Sequence, residues 1–268
     1  MANCTDQGSN ALNLQGRPPP FAKDTGVGPC LLLLHAFPLD HRLWAHQITS
    51  FRTSHRVIAH DVRGFGRSPL SQEPWSFSDI ADDILCGLDT LNIPSLTAIG
   101  LSMGGYLAFE LVRKRPSLIQ RLVLADTRPD ADNQEERSAR THLAESVSQI
   151  GTDSLVKIMA PKLLRKRPDP SVTKVIQRWI AEASPQAVIH ALIAMRERPD
   201  STPLLANIAC PTLVLSGSED LVTSVQDCRK LAEAISGSRY KEIPDSGHIS
   251  NLENPTAFNR ALDDFLSL

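Results

Sequence analysis

Residues 30–35 read CLLLLH, five apolar side chains in succession with no polar alternation. A strand with one face in water alternates apolar and polar residues. An unbroken run needs cover on both faces, which a parallel sheet flanked by helices supplies. Less pure versions recur at 56–61 (RVIAHD), 96–99, 122–125, 211–217 (PTLVLSG) and 239–243. Between and after them lie stretches with helical character, at 43–51, 77–91, 103–114, 225–235 and 255–266. In the second of these the apolar residues stand at 77, 80, 81, 84, 85, 88 and 91, along one face of a helix. Strands separated by helices predict an α/β chain built on a doubly wound, mostly parallel sheet.

The rhythm breaks after residue 128 and resumes near 204. The intervening stretch holds no convincing strand; 155–164, 172–180 and 187–195 read as short helices, and 129–139 is polar and helix-leaning. The expected division is therefore a core of residues 1–128 and 204–268 and a helical cap of residues 129–203. The cap would sit above the carboxyl ends of the strands, where such sheets place ligands. The first 28 residues carry turn signals, GRPPPF and DTGVG, and one short strand at 12–14 is expected among them.

Composition narrows the function classes. With 41% apolar and 22% charged residues, the 268-residue chain can bury a sizeable core, which excludes a disordered reading. A formal charge of -2 supplies no global field toward nucleic acid or an anionic membrane, and 5% aromatic residues are too few for a base-stacking surface. No apolar run is long enough to span a bilayer, and the N-terminus lacks the basic start of a secretory signal. Five widely spaced cysteines with no CxxC argue against a disulfide scaffold, so a cytoplasmic setting is expected. The histidines show no metal-binding spacing, and neither a metal nor another cofactor is expected.

The chemistry concentrates in GLSMG, residues 100–104, at the junction of a buried strand and a helix. A serine on that sharp turn projects outward, and glycines two before and two after it let strand and helix approach closely. The Met103 N–H, at the helix start, is placed to bind an oxyanion. A serine needs a base to become a nucleophile. His248 follows the last expected strand and Asp220 the one before it. Ser102, Asp220 and His248 thus occur in the order nucleophile, acid, base, each just past a strand end. Glu219 and Asp126 compete with Asp220 as the acid, and a plain helix N-cap is the competing account of Ser102.

HAFPLD, DVRGFGRS, GLSMGG, LVLADTR, LVLSGSEDLV and SGHISNLENP together resemble the α/β-hydrolase superfamily over about residues 30–268. Within it the chain is similar to the capped branch containing 3-oxoadipate enol-lactonases, small carboxylesterases, the pimeloyl-carrier methyl esterase and cofactor-free haloperoxidases. The resemblance implies a second oxyanion donor, the N–H of Phe37, just past His35 and Ala36, where the family's usual glycine is replaced by alanine. It also implies an architectural role for the Asp61–Ser68 stretch. Relatives open with a clear β-hairpin before residue 30, where this chain is proline-rich.

These readings lead to a serine hydrolase acting on a small-molecule ester of a small to medium acyl group, with lactone opening as the alternative. Met159, Leu163, Trp179 and Ile180 are candidate pocket-roof residues, helix packing being the competing account of each. Arg128, if turned inward, would favour an acidic substrate. A binding protein built on a hydrolase fold is the reading from a different class, and a complete triad weighs against it.

Overall fold

The computed structural model describes residues 19–267; the strand expected at 12–14 lies outside them. The chain opens with β1 (Ala22–Thr25) and β2 (Cys30–Leu34), then α1 (Ala45–Phe51), β3 (Arg56–His60), α2 (Phe77–Thr90), β4 (Leu96–Leu101), α3 (Met103–Lys114) and β5 (Ile119–Ala125). Five helices follow without a strand: α4 (Gln134–Ile150), α5 (Asp153–Leu163), α6 (Pro170–Glu182), α7 (Pro185–Glu197) and α8 (Thr202–Leu205). The chain then returns to β6 (Thr212–Gly217), α9 (Val225–Glu233), β7 (Arg239–Ile243), α10 (Ser250–Glu253) and α11 (Pro255–Leu266).

The seven strands form one sheet in the order β1-β3-β2-β4-β5-β6-β7. Only the β1–β3 pair is antiparallel. Every residue of β2, β4 and β6 is buried, as strands covered on both faces require, whereas β7 at the edge alternates exposed and half-buried residues before its buried last residue, Ile243. Helices α2 and α3 pack together, and α1 packs with α10 and α11, so the sheet is covered by helices as the fold class demands.

The strand order reverses between β2 and β4. From β2 the chain steps outward to β3; it then returns to β4 on the other side and continues to β7. The loops leaving β2 and β4 therefore diverge, and a crevice opens at their carboxyl ends. Both chemically informative loops, after Leu34 and after Leu101, lie on that crevice.

The helical stretch between β5 and β6 packs α4 on α7 and α5 on α6. One of its ties is a buried charge cluster. The side chain of Asp132 has no exposure and meets Arg128 at 3.0 Å, Arg198 at 2.6 Å and the Arg140 guanidinium. The Arg198 guanidinium also lies 4.3 Å over the Tyr106 ring, linking this helical stretch to α3.

Candidate active site

Ser102 stands between β4 and α3 with φ +56° and ψ −114°, a left-handed region that costs an L-residue about 1–3 kcal/mol. The surroundings enforce it. The Ser102 N–H donates to the Ala125 carbonyl (2.9 Å), and its own carbonyl accepts from the Gly105 N–H and the Thr127 hydroxyl, both at 2.8 Å. The flanking glycines are needed for close approach. A Cβ on Gly104 would stand 2.0 Å from the Leu34 carbonyl oxygen, and one on Gly100 would stand 2.3 Å from the Gly104 carbonyl oxygen. The Ser102 side chain makes no N-cap bond to α3. Its Oγ lies 2.7 Å from His248 Nε2.

His248 follows β7, and its Nδ1 lies 2.8 Å from Asp220 Oδ2. The other Asp220 oxygen accepts the N–H groups of Val222 (2.7 Å) and Thr223 (3.0 Å), which orients the carboxylate. The His248 and Asp220 side chains are 2% and 0% exposed. Burial pushes the imidazole pKa down, while the charge of Asp220, its hydrogen bond to the ring and, to a lesser degree, the Asp126 carboxyl push it up, and the net direction is above the ordinary 6.5. The competing carboxylates point elsewhere. Glu219 accepts the Lys166 N–H at 3.2 Å, and Asp126 bonds the Gly217 N–H and the Ser250 hydroxyl.

Phe37 follows β2 and Met103 opens α3, so both amides lie at the carboxyl edge of adjacent strands. Both side chains are buried, and the Phe37 ring packs edge-on against Phe65. His35 is an organiser of this loop. Its Nε2 accepts the Val62 N–H and its Nδ1 donates to the Ala36 carbonyl, each at 3.0 Å, and burial lowers its pKa.

The Asp61–Ser68 stretch braces the same loop. Asp61 accepts the backbone N–H groups of His41 (2.7 Å) and Arg67 (2.9 Å) and the His41 ring at 2.8 Å. Asp40, His41 and Asp61 bring potential metal-ligand atoms within 4.8 Å of one another. Those atoms are already engaged, since Asp40 also holds Arg42 through both oxygens. They fit a clasp between two loops better than an ion site. Sequence reasoning missed His41 because its partner lies twenty residues away.

The roof candidates divide. Leu163 and Ile180 are fully buried in the hydrophobic core, and Met159 packs partly buried against it. Trp179 lines a cavity of about 520 Å³ between the Pro38–Arg42 loop, the Gly64–Arg67 loop and the end of α6. Arg42 lies 5.2 Å over its ring and pairs with Glu182 at 2.6 Å, tying α6 to the loop that follows Phe37. Arg128, which would favour an acidic substrate if turned inward, is held by carboxylates. Its guanidinium is taken up by Asp130, Asp132 and Glu136, so this position presents no unpaired cation.

Glu253 was also missed. It accepts the Gly247 N–H at 2.7 Å and the Arg165 N–H at 3.2 Å, fixing the residue before His248 to the segment that follows α5. The Ile249 N–H donates to the Leu163 carbonyl beside it. The SNLENP segment that carries Glu253 was legible as a landmark, but backbone acceptors leave no spacing signal in a sequence.

The profile of a family described as alpha/beta hydrolase fold matches residues 29–255. A thermophilic esterase from Thermogutta terrifontis, solved with malate bound, superposes with a TM-score of 0.90 at 36% identity, covering 92% of each chain. The enol-lactonase from Burkholderia xenovorans gives a TM-score of 0.86 at 28% identity over 92% of this chain and 96% of its own. By sequence, 3-oxoadipate enol-lactonase 2 of Acinetobacter baylyi is 29% identical over 88% of this chain and 87% of its own length.

Proposed function

The chain belongs to the α/β-hydrolase fold family, and on that premise we propose that it cleaves carboxylic esters of small to medium acyl groups through Ser102, His248 and Asp220. The observation that carries this is the hydrogen-bonded series Ser102 Oγ, His248 Nε2, His248 Nδ1, Asp220 Oδ2, at 2.7 and 2.8 Å, beneath a strained turn. Ser102 Oγ attacks the acyl carbon as its proton passes to His248 Nε2. The carbonyl oxygen becomes an oxyanion held by the N–H groups of Phe37 and Met103, each contributing about 3 kcal/mol in the transition state. Collapse breaks the bond to the alcohol oxygen, which leaves with the proton from His248. Water then attacks the acyl-enzyme, giving its proton to His248, and the second collapse releases the acid and returns the proton to Ser102. Asp220 fixes the imidazole tautomer and stabilises the imidazolium throughout.

Lactone opening is the second reading, favoured by the enol-lactonases among the similar proteins. A lactone is a cyclic ester, so every step is the same except that the leaving alcohol stays attached to the acid. The engaged state of Arg128 supports uncharged substrates over carboxylated ones. The test is a panel of chromogenic esters from acetate to decanoate run beside several lactones. The expected result is turnover of short and medium esters, lost in Ser102→Ala. Faster turnover of the lactones would favour the second reading, and no turnover of either class would overturn both.

A further inference from the structure

The side-chain carboxylates of Asp220, Asp61 and Asp132 have no exposure, and each has a positive or ionisable partner. Asp220 faces His248, Asp61 faces His41, and Asp132 faces three arginines. Asp126 makes no ion pair or hydrogen bond with a positive or titratable side chain. It follows β5 with φ +48° and no exposure. One carboxyl oxygen meets the Gly217 N–H at 2.6 Å and the other the Ser250 hydroxyl at 2.5 Å. A buried carboxylate without a counter-ion is disfavoured, and a second carboxylate nearby disfavours it more. Both of its partners border loops of the proposed site. Gly217 precedes the Asp220 turn, and Ser250 opens α10 just after His248.

We propose that Asp126 is a positioning residue acting as an uncharged carboxylic acid, which ties the Asp220 loop to the His248 turn through Gly217 and Ser250. In this form Oδ2–H donates to Ser250 Oγ while Oδ1 accepts the Gly217 N–H. Both loops are held in register, and the imidazole faces one negative charge instead of two. Burial, reinforced by the Asp220 charge, pushes the Asp126 carboxyl up to about 8, against the opposing pull of His248 and of its two hydrogen bonds. The inference rests on the triad reading only for its kinetic consequence.

The experiment compares wild type with Asp126→Asn, whose amide reproduces both hydrogen bonds, and with Asp126→Ala, which removes them. An unfolded aspartate loses its proton near pH 4, while the folded one keeps it to about 8. Wild type therefore loses stability as pH rises across that interval, and the asparagine variant is spared this loss. The other titratable groups around this carboxyl are Asp220 after β6, His248 after β7 and the Cys228 thiol of α9, and all are present in every variant. The expected result is a melting-temperature advantage of Asp126→Asn that widens from pH 5 to pH 8 and then levels. In turnover, Asp126→Ala should lower kcat about tenfold or more with KM little changed, and Asp126→Asn should recover most of that loss. An advantage that stays flat or narrows with pH, or an asparagine variant no more active than the alanine one, would overturn the proposal. If wild type turns over no ester, the melting series still decides the protonation state, and the triad reading fails separately.

Discussion

His248 carries the sharpest consequence of the residue-level geometry. A general base must be neutral, so kcat/KM should rise with pH through the imidazole pKa, with its midpoint above 6.5. In Asp220→Asn the burial that disfavours the imidazolium is no longer opposed by a partner charge. The midpoint should fall, and the rate should drop by roughly 10³–10⁴-fold through loss of tautomer control. A pH–rate profile of both proteins checks this, and an unchanged midpoint would count against Asp220 as the partner. Ser102, Asp220 and His248 were legible in the sequence because each falls just past a strand end within a recognisable motif. Asp126 was legible only as a rival acid. Its partners are a backbone N–H and a serine hydroxyl more than ninety residues away, and no local spacing announces them.

Among the elements, those with unmixed patterns were readable. The expected helices at 103–114 and 255–266 and the strand at 239–243 match α3, α11 and β7 in the structure. β5 starts earlier than expected because its first residues, Ile119 to Arg121, are polar-rich and partly exposed. α4 extends to Ile150, well past the polar stretch expected at 129–139, and Val147 is its sole fully buried residue, so it has almost no apolar stripe. The usable signal was its capping box, where Asn133 and Glu136 each bond the other's backbone N–H. β1 is four residues on a sheet edge, recruited by pairing with β3 and not by its own sequence. Between β5 and β6, Asp132 gathers Arg128, Arg140 and Arg198 around one carboxylate. Burial raises its carboxyl pKa, but Arg140 and Arg198 more than offset this and hold it below the ordinary carboxylate range. Its stabilisation is therefore present above about pH 4 and lost as pH falls through the depressed value. Asp132→Ala leaves the buried Arg198 without its carboxylate and should cost about 3–5 kcal/mol in denaturant unfolding. A change below about 1 kcal/mol would show that the arginines find other partners.

At the scale of the whole molecule, the doubly wound sheet followed from the alternation of buried runs and helices, and its reversal point fixes where loops from distant parts of the chain meet. The meeting itself was invisible in the sequence beyond the order of three residues. Residues 102, 220 and 248 reach one crevice because β4, β6 and β7 run parallel and end on the same side. That convergence is the central claim, and covalent capture tests it most directly. Wild type is treated with a fluorophosphonate ester, digested and mapped by mass spectrometry, beside His248→Ala. The account expects a single phosphonyl adduct on Ser102, formed in step with loss of esterase activity and strongly slowed in His248→Ala. Modification at another residue, or a Ser102 that reacts as fast without the imidazole, would contradict it.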